Sequence, residues 1–201
     1  MNIVRVSQSL DQWRVAGFRW RDELAWPAKL GLALILAAVT GLAAQVRYPL
    51  PNTPVHVTGQ VFAVLLSGVL LGSGWGGLSQ VLYVGLGAVA LPWFSGGAVG
   101  QPLGPTAGYL VGFIPAAIVV GWATERFFWA RYFWPQVIVM LIGVVIIYTF
   151  GAIGFSLLMG TGLQPTLTQS VFPFVPFDLA KAIAAAAVSS ALLPKQGGDG
   201  G

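Results

Sequence analysis

VTGQVFAVLLSGVLLGSGWGGLSQVLYVGLGAVALP, residues 57–92, decides the fold class. Two apolar runs, 57–72 and 75–92, flank the turn GSGWGG at 72–77. Neither run alternates apolar and polar residues, so neither suits a strand of a membrane barrel. In hydrocarbon, a continuous apolar run must satisfy its own backbone, and that requires a helix. A turn this short and glycine-rich leaves the two helices antiparallel, as a hairpin.

The rest of the chain reads the same way. Of 201 residues, 56% are hydrophobic and only 8% are charged, whereas a soluble domain carries about a quarter charged residues. The mean hydropathy is +0.80. Crossing hydrocarbon about 30 Å thick takes about 20 apolar residues, fewer inside a bundle. Further runs at 29–46, 106–123, 135–160 and 176–194 meet that length. The expected fold is therefore an all-α membrane protein with six transmembrane helices over residues 29–194. Residues 195–201 read as a flexible tail. Ahead of the bundle, LDQWRVAGFRWRDEL (10–24) makes residues 1–28 either an amphipathic helix lying on the membrane surface or a basic tail.

An even number of spans puts both termini on one side. Placing them in the cytoplasm puts Arg5, Arg14, Arg19, Arg21, Lys29, Arg126, Arg131 and Lys195 inside, and Arg47 alone outside. That asymmetry predicts cytoplasmic N- and C-termini in a multi-pass protein of the cell's inner (cytoplasmic) membrane. Trp26, Trp75, Trp93, Trp122, Trp129 and Trp134 fall at predicted span ends, where interfacial anchors belong.

Several function classes are excluded. The chain has no cysteine and a single histidine, His56, so thiol chemistry and multi-histidine metal sites are out. No lysine follows a GxxxxG pattern, so the chain is not its own P-loop ATPase. No GxSxG frames a serine, and Asp178 is the only acid near the outer half, which leaves no catalytic dyad. The basic residues are scattered between spans, not clustered as nucleic-acid footprints are. The reading is not an enzyme, with no cofactor and no metal. Binding remains.

Candidate binding residues converge on the outer face, where the second, fourth and sixth helices begin and the turn-rich loops lie. Helix N-termini there favour an anionic ligand group. In FVPFDLAKAIAAAAVSSALLP (174–194), Asp178 and Lys181 share one helix face near its start. Each costs about 2.5 to 3.5 kcal/mol to place in hydrocarbon, so something must offset them. Two readings fit: an ion pair complementing the helix dipole, or a polar clamp at the floor of an outward-facing pocket. Gln60, Tyr83, Gln101 and Tyr109 complete the candidate set. Thr106 reads as the cap of the fourth helix, and His56 as loop scaffolding. Ala33, Ala37 and Gly41 recur every four residues, which suits either bundle packing or docking against another membrane protein.

Residues 53–113 and FVPFDLAKA (174–182) resemble the BioY family, the biotin-binding S components of energy-coupling factor transporters. GPTAGYLVGF (104–113) with the Asp-x-x-Lys pair is the most specific part of the match. The resemblance implies a membrane subunit that captures biotin on the outer face. It implies partners too: a transmembrane coupling subunit contacted through a small-residue motif matching Ala33 and Ala37, and cytoplasmic ATPases that supply the energy. Some members self-associate as homo-oligomers. A same-fold binder for a different vitamin and a solitary secondary transporter are the alternatives. The chain departs from the family in the first loop, where His56 replaces a usual proline and Gly59 a bulkier residue.

Overall fold

The computed structural model describes residues 3–96 and 104–195, with side chains from residue 12 onward. Gln101 and most of the expected tail, 196–201, lie outside the described residues. The elements in order are α1 (Ile3–Glu23), α2 (Trp26–Gln45), β1 (Arg47–Pro49), β2 (His56–Thr58), α3 (Gln60–Val89), α4 (Ala107–Arg126), α5 (Phe133–Met159), α6 (Leu163–Ser170) and α7 (Val175–Leu192). Short 3-10 turns precede α5 and α7.

The hairpin expected from residues 57–92 is present inside α3. Gly72 sits at φ 80°, ψ 179°, and reverses the chain there. The reversal is evident from Gln60 donating to the Tyr83 hydroxyl at 2.7 Å and Gln80 to Ser67 at 2.9 Å, pairs that a straight helix would hold far apart. That backbone region is essentially glycine-only, and a Cβ at Gly72 would collide with the Glu125 carboxylate. Glu125 in turn accepts from the Ser73 amide (3.0 Å) and hydroxyl (2.8 Å), capping the second limb. Five helices are long and apolar enough to cross a membrane, and the bend makes six helical segments of them. The first limb of α3 is shorter than its predicted span because residues 56–58 are extended as β2.

α3 is the hub, packing against α2, α4 and α7, while α5 packs against α4 and α7. Small residues set these distances. A Cβ on Gly108 would strike the Phe150 carbonyl, and one on Gly76 would stand 2.7 Å from the Gly68 Cα. Ala33, Ala37, Thr40, Gly41 and Ala44 form the buried stripe of α2, with Thr40 reached by Gln80 of α3. The opposite stripe carries Ile35, Val39 and Leu42, exposed as residues facing lipid are.

One end of the bundle is tied by basic side chains that donate to the last carbonyls of helices. Arg14 and Arg21 of α1 reach the Ala191 carbonyl at 2.8 Å and the Leu70 carbonyl at 3.1 Å. Arg131 reaches that of Thr124 in the last turn of α4 (3.1 Å) and, just past the end of α7, the carbonyl of Pro194 (3.3 Å). Each such contact complements a helix C-terminus by about 0.3 to 1 kcal/mol. Residues 3–23 are thus helical and packed on the bundle through Arg14, Phe18 and Arg21.

Trp26, Trp122, Trp129 and Trp134 are exposed near helix ends, as anchors should be. Trp93 differs from that expectation. Its indole donates to the Tyr83 carbonyl at 2.9 Å and its ring packs on Tyr83, so it belongs to the interior contacts.

Candidate functional site

At the end opposite α1, the chain encloses a cavity of about 200 Å³. The β1–β2 hairpin, paired antiparallel with Tyr48 opposite Val57, forms one rim. Gly59, just after β2, donates its amide to the Ala43 and Val46 carbonyls at 3.0 Å each, and a Cβ there would press on Ala43. The missing side chain is what lets the hairpin lie against the end of α2. Residues 104–106 ahead of α4 form a second rim, and Tyr148 of α5 with the first turns of α7 forms the far wall. Apolar side chains such as Val55, Val61, Leu110, Phe113, Ile147 and Phe174 line most of it.

Asp178 and Lys181 both line this cavity. Pro176 stands in the opening turn of α7, which pre-sets the backbone there and leaves Asp178 in the first turn. Asp178 is 4% exposed. Its Oδ1 accepts from Lys181 Nζ and its Oδ2 from the Tyr148 hydroxyl, both at 2.7 Å. Neutralisation within the pair, plus a donor on each oxygen, offsets the burial of the two charges. The geometry merges the two readings of the motif, since the ion pair exists and it also faces the cavity.

The remaining candidates fall into layers. Gln60 lines the cavity, with Oε1 accepting from Thr58 at 2.8 Å and Nε2 donating to Tyr83. Tyr83 is fully buried and absent from the lining, so it stands behind Gln60 and orients it. Tyr109 lines the cavity and donates its hydroxyl to the Ser170 carbonyl, tying α4 to the end of α6. Thr106 holds the N-cap position of α4 but makes no side-chain cap; it lines the cavity instead. His56, expected as scaffolding, also lines the cavity. Ala33 and Ala37 lie away from this site and are fully buried against the bundle, so neither offers a free surface in this conformation.

Tyr148, Ser95 and Thr58 are polar lining residues that the sequence alone did not single out. Tyr148 sits well inside α5, roughly 17 Å of helix from its end at about 1.5 Å per residue, whereas Asp178 opens α7. Judged by depth alone they do not meet. They meet because residues 160–174 fold back as α6 and a 3-10 turn, starting α7 below the end of α5. The one available signal was a hydroxyl in the run VVIIYTFGAIG (144–154).

Taken together, the cavity is apolar-walled with one charge-paired pole and several neutral polar groups. It holds no nucleophile beside a base, and among the described residues no group of three His, Asp or Glu side chains could hold a metal. An apolar-walled cavity with a few placed polar groups suits the binding of a small ligand.

Comparisons with known proteins agree with this architecture. The sequence profile of the BioY family matches residues 18–196. A probable biotin transporter BioY of Methanothermobacter thermautotrophicus is 40% identical over 145 residues, 65% of this chain and 89% of that protein. The biotin transporter BioY of Rhizobium etli is 32% identical over 177 residues, 80% of this chain and 90% of that protein. A crystal structure of the S-component for biotin from an ECF-type ABC transporter superposes with a TM-score of 0.76 at 24% identity. It covers 87% of this chain and 96% of its own, and shows that the two share a fold.

Proposed function

The chain belongs to the BioY family, a family of transporters and not of enzymes, and from that premise we propose that it captures biotin in the cavity between α3, α4, α5 and α7. The observation that carries this reading is the buried Tyr148–Asp178–Lys181 cluster facing an otherwise apolar cavity. Biotin's ureido ring offers two N–H donors and a carbonyl on an apolar bicycle. A carboxylate with free lone pairs beside an ammonium matches that pattern of donors and acceptor. The apolar walls match the rest of the ligand.

The cavity faces the outside of the cell in this reading. Arg14, Arg19, Arg21, Lys29, Arg126, Arg131 and Lys195 gather toward the α1 end, whereas among the described residues the cavity end carries only Arg47 and Lys181, the latter neutralised by Asp178. The positive-inside preference then puts both termini in the cytoplasm of a multi-pass protein of the inner membrane. No P-loop is present, so energy for uptake comes from a coupling subunit and cytoplasmic ATPases to which this chain docks as the S component. If Ala33 and Ala37 serve in that docking, α2 must first move away from α3, because both are covered now. Titration calorimetry of the purified, detergent-solubilised chain with biotin tests the core of the reading. One-to-one binding without any partner is expected, and folded protein that binds no biotin overturns it.

A further inference from the structure

A second cavity, a groove of about 510 Å³, lies at the other end of the molecule, between α1 and the ends of its neighbours. Trp13 and Phe18 of α1, Leu32 and Leu36 of α2, and Leu70 at the end of the first limb of α3 make it apolar. It exists because of how α1 is attached. Arg14 and Arg21 donate to the carbonyls of Ala191 and Leu70, and their long stems hold the helix off the bundle. Gly17 also lines the groove, and a Cβ there would meet nothing within 4 Å. Leu36 is about 15 Å of helix beyond the start of α2, at about 1.5 Å per residue, so the groove extends to hydrocarbon depth. Apolar walls at that depth call for an apolar filling.

A smaller polar niche of about 100 Å³ adjoins the groove, and Arg21, Leu32 and Leu71 line both. Arg21 is the pinned element, with its side chain 16% exposed. It engages Asp22 through Nε and Nη2 and the Leu70 carbonyl through Nη1, which leaves two of its five N–H donors for a ligand. Lys29 lines the niche and donates only to the Asp22 backbone carbonyl, so no carboxylate neutralises it directly. The two acids of the niche are turned elsewhere: Asp22 to Arg21, Glu125 to the Ser73 amide and hydroxyl. Counting Arg14, the side chains lining groove and niche carry one more positive charge than negative. That excess complements a phosphodiester, and basic pockets between membrane helices take anionic headgroups. A partner's helix fits less well, because about 510 Å³ is about one turn of helix with its side chains. A single flexible chain can follow the same space.

We propose that groove and niche together bind one anionic phospholipid, its acyl chain along the groove and its phosphate at Lys29 and Arg21. In the proposed orientation that lipid comes from the cytoplasmic leaflet, and the inference does not depend on what the cavity at the opposite end binds. The test is native mass spectrometry of the full, detergent-solubilised chain, titrated with 1-palmitoyl-2-oleoyl phosphatidylglycerol and with the matching phosphatidylcholine. Wild type should bind the phosphatidylglycerol at least about fivefold more tightly, the effect of one cation facing an anionic lipid. Lys29→Gln should lose about that factor for phosphatidylglycerol and leave phosphatidylcholine unchanged. Gly17→Trp fills the groove from α1, where a side chain meets open space. It should weaken both lipids at least about tenfold, as displacing two buried methylene groups does. Both variants should melt as wild type does, and they lie on different helices, so misfolding of one leaves the other to decide. Equal affinity of wild type for the two lipids, or a preference that survives Lys29→Gln, overturns the inference. Lipid binding unchanged by Gly17→Trp overturns it as well, and leaves the groove to a partner protein.

Discussion

Tyr148→Phe is the sharpest test of the site, because it deletes one hydroxyl and changes neither charge nor shape. That hydroxyl donates to Asp178 Oδ2 at 2.7 Å, while Lys181 holds Oδ1 at the same distance. Together they fix the carboxylate plane. Losing a hydrogen bond to a charged group costs about 1.5 to 3 kcal/mol. At about 1.36 kcal/mol per factor of ten, that is about a 10- to 160-fold loss of biotin affinity if the full term is expressed in binding. Calorimetric titration of wild type, Tyr148→Phe, Asp178→Asn and the double variant forms a complete cycle. If Tyr148 acts through Asp178, its effect should nearly vanish in the Asp178→Asn background. Additive losses would mean that Tyr148 touches the ligand independently. Wild-type affinity in folded Tyr148→Phe, or a gain, would refute the positioning argument.

Asp178→Asn and Lys181→Met should each weaken biotin binding more than about tenfold, since each leaves a buried charge without its partner; calorimetry with a thermal-melt control checks both. Gly72→Ala should lower stability by at least about 1 to 3 kcal/mol, from the glycine-only backbone alone, and the collision with Glu125 adds to it; thermal unfolding in detergent reads this out. Because the chain lacks cysteine, single replacements report topology without background. Asn52→Cys in the β1–β2 turn should react with a membrane-impermeant maleimide on intact cells, and Arg19→Cys on α1 only after lysis. The reverse pattern would invert the proposed orientation. Arg14→Ala should increase protease cleavage within α1 without altering biotin affinity, since Arg14 caps α7 far from the cavity.

How far the chain could be read depended on the range of the interaction involved. Residues 57–92 announced a helical hairpin because a backbone in hydrocarbon has few options and glycine is needed where it reverses. Gln60 and the Asp178–Lys181 pair were legible for the same reason: polar groups in apolar runs stand out, and a three-residue spacing sets a shared face. Trp93 was misread because composition at a span end cannot tell an anchor facing lipid from a ring turned onto Tyr83. Thr106 was misread because an N-cap position does not dictate where its hydroxyl points.

The sequence by itself determined the solvent this chain folds in, the number of helical segments and the place of its costliest charges, because those follow from local composition and period. Tertiary structure decided what the charges meet. Tyr148 reaches Asp178 only because α6 folds back and lowers the start of α7 beside α5. The small residues of α2 are buried because α3 lies against that stripe and not the opposite one. Both are contacts between distant segments, set by how the helices pack, and no window along the chain contains that information.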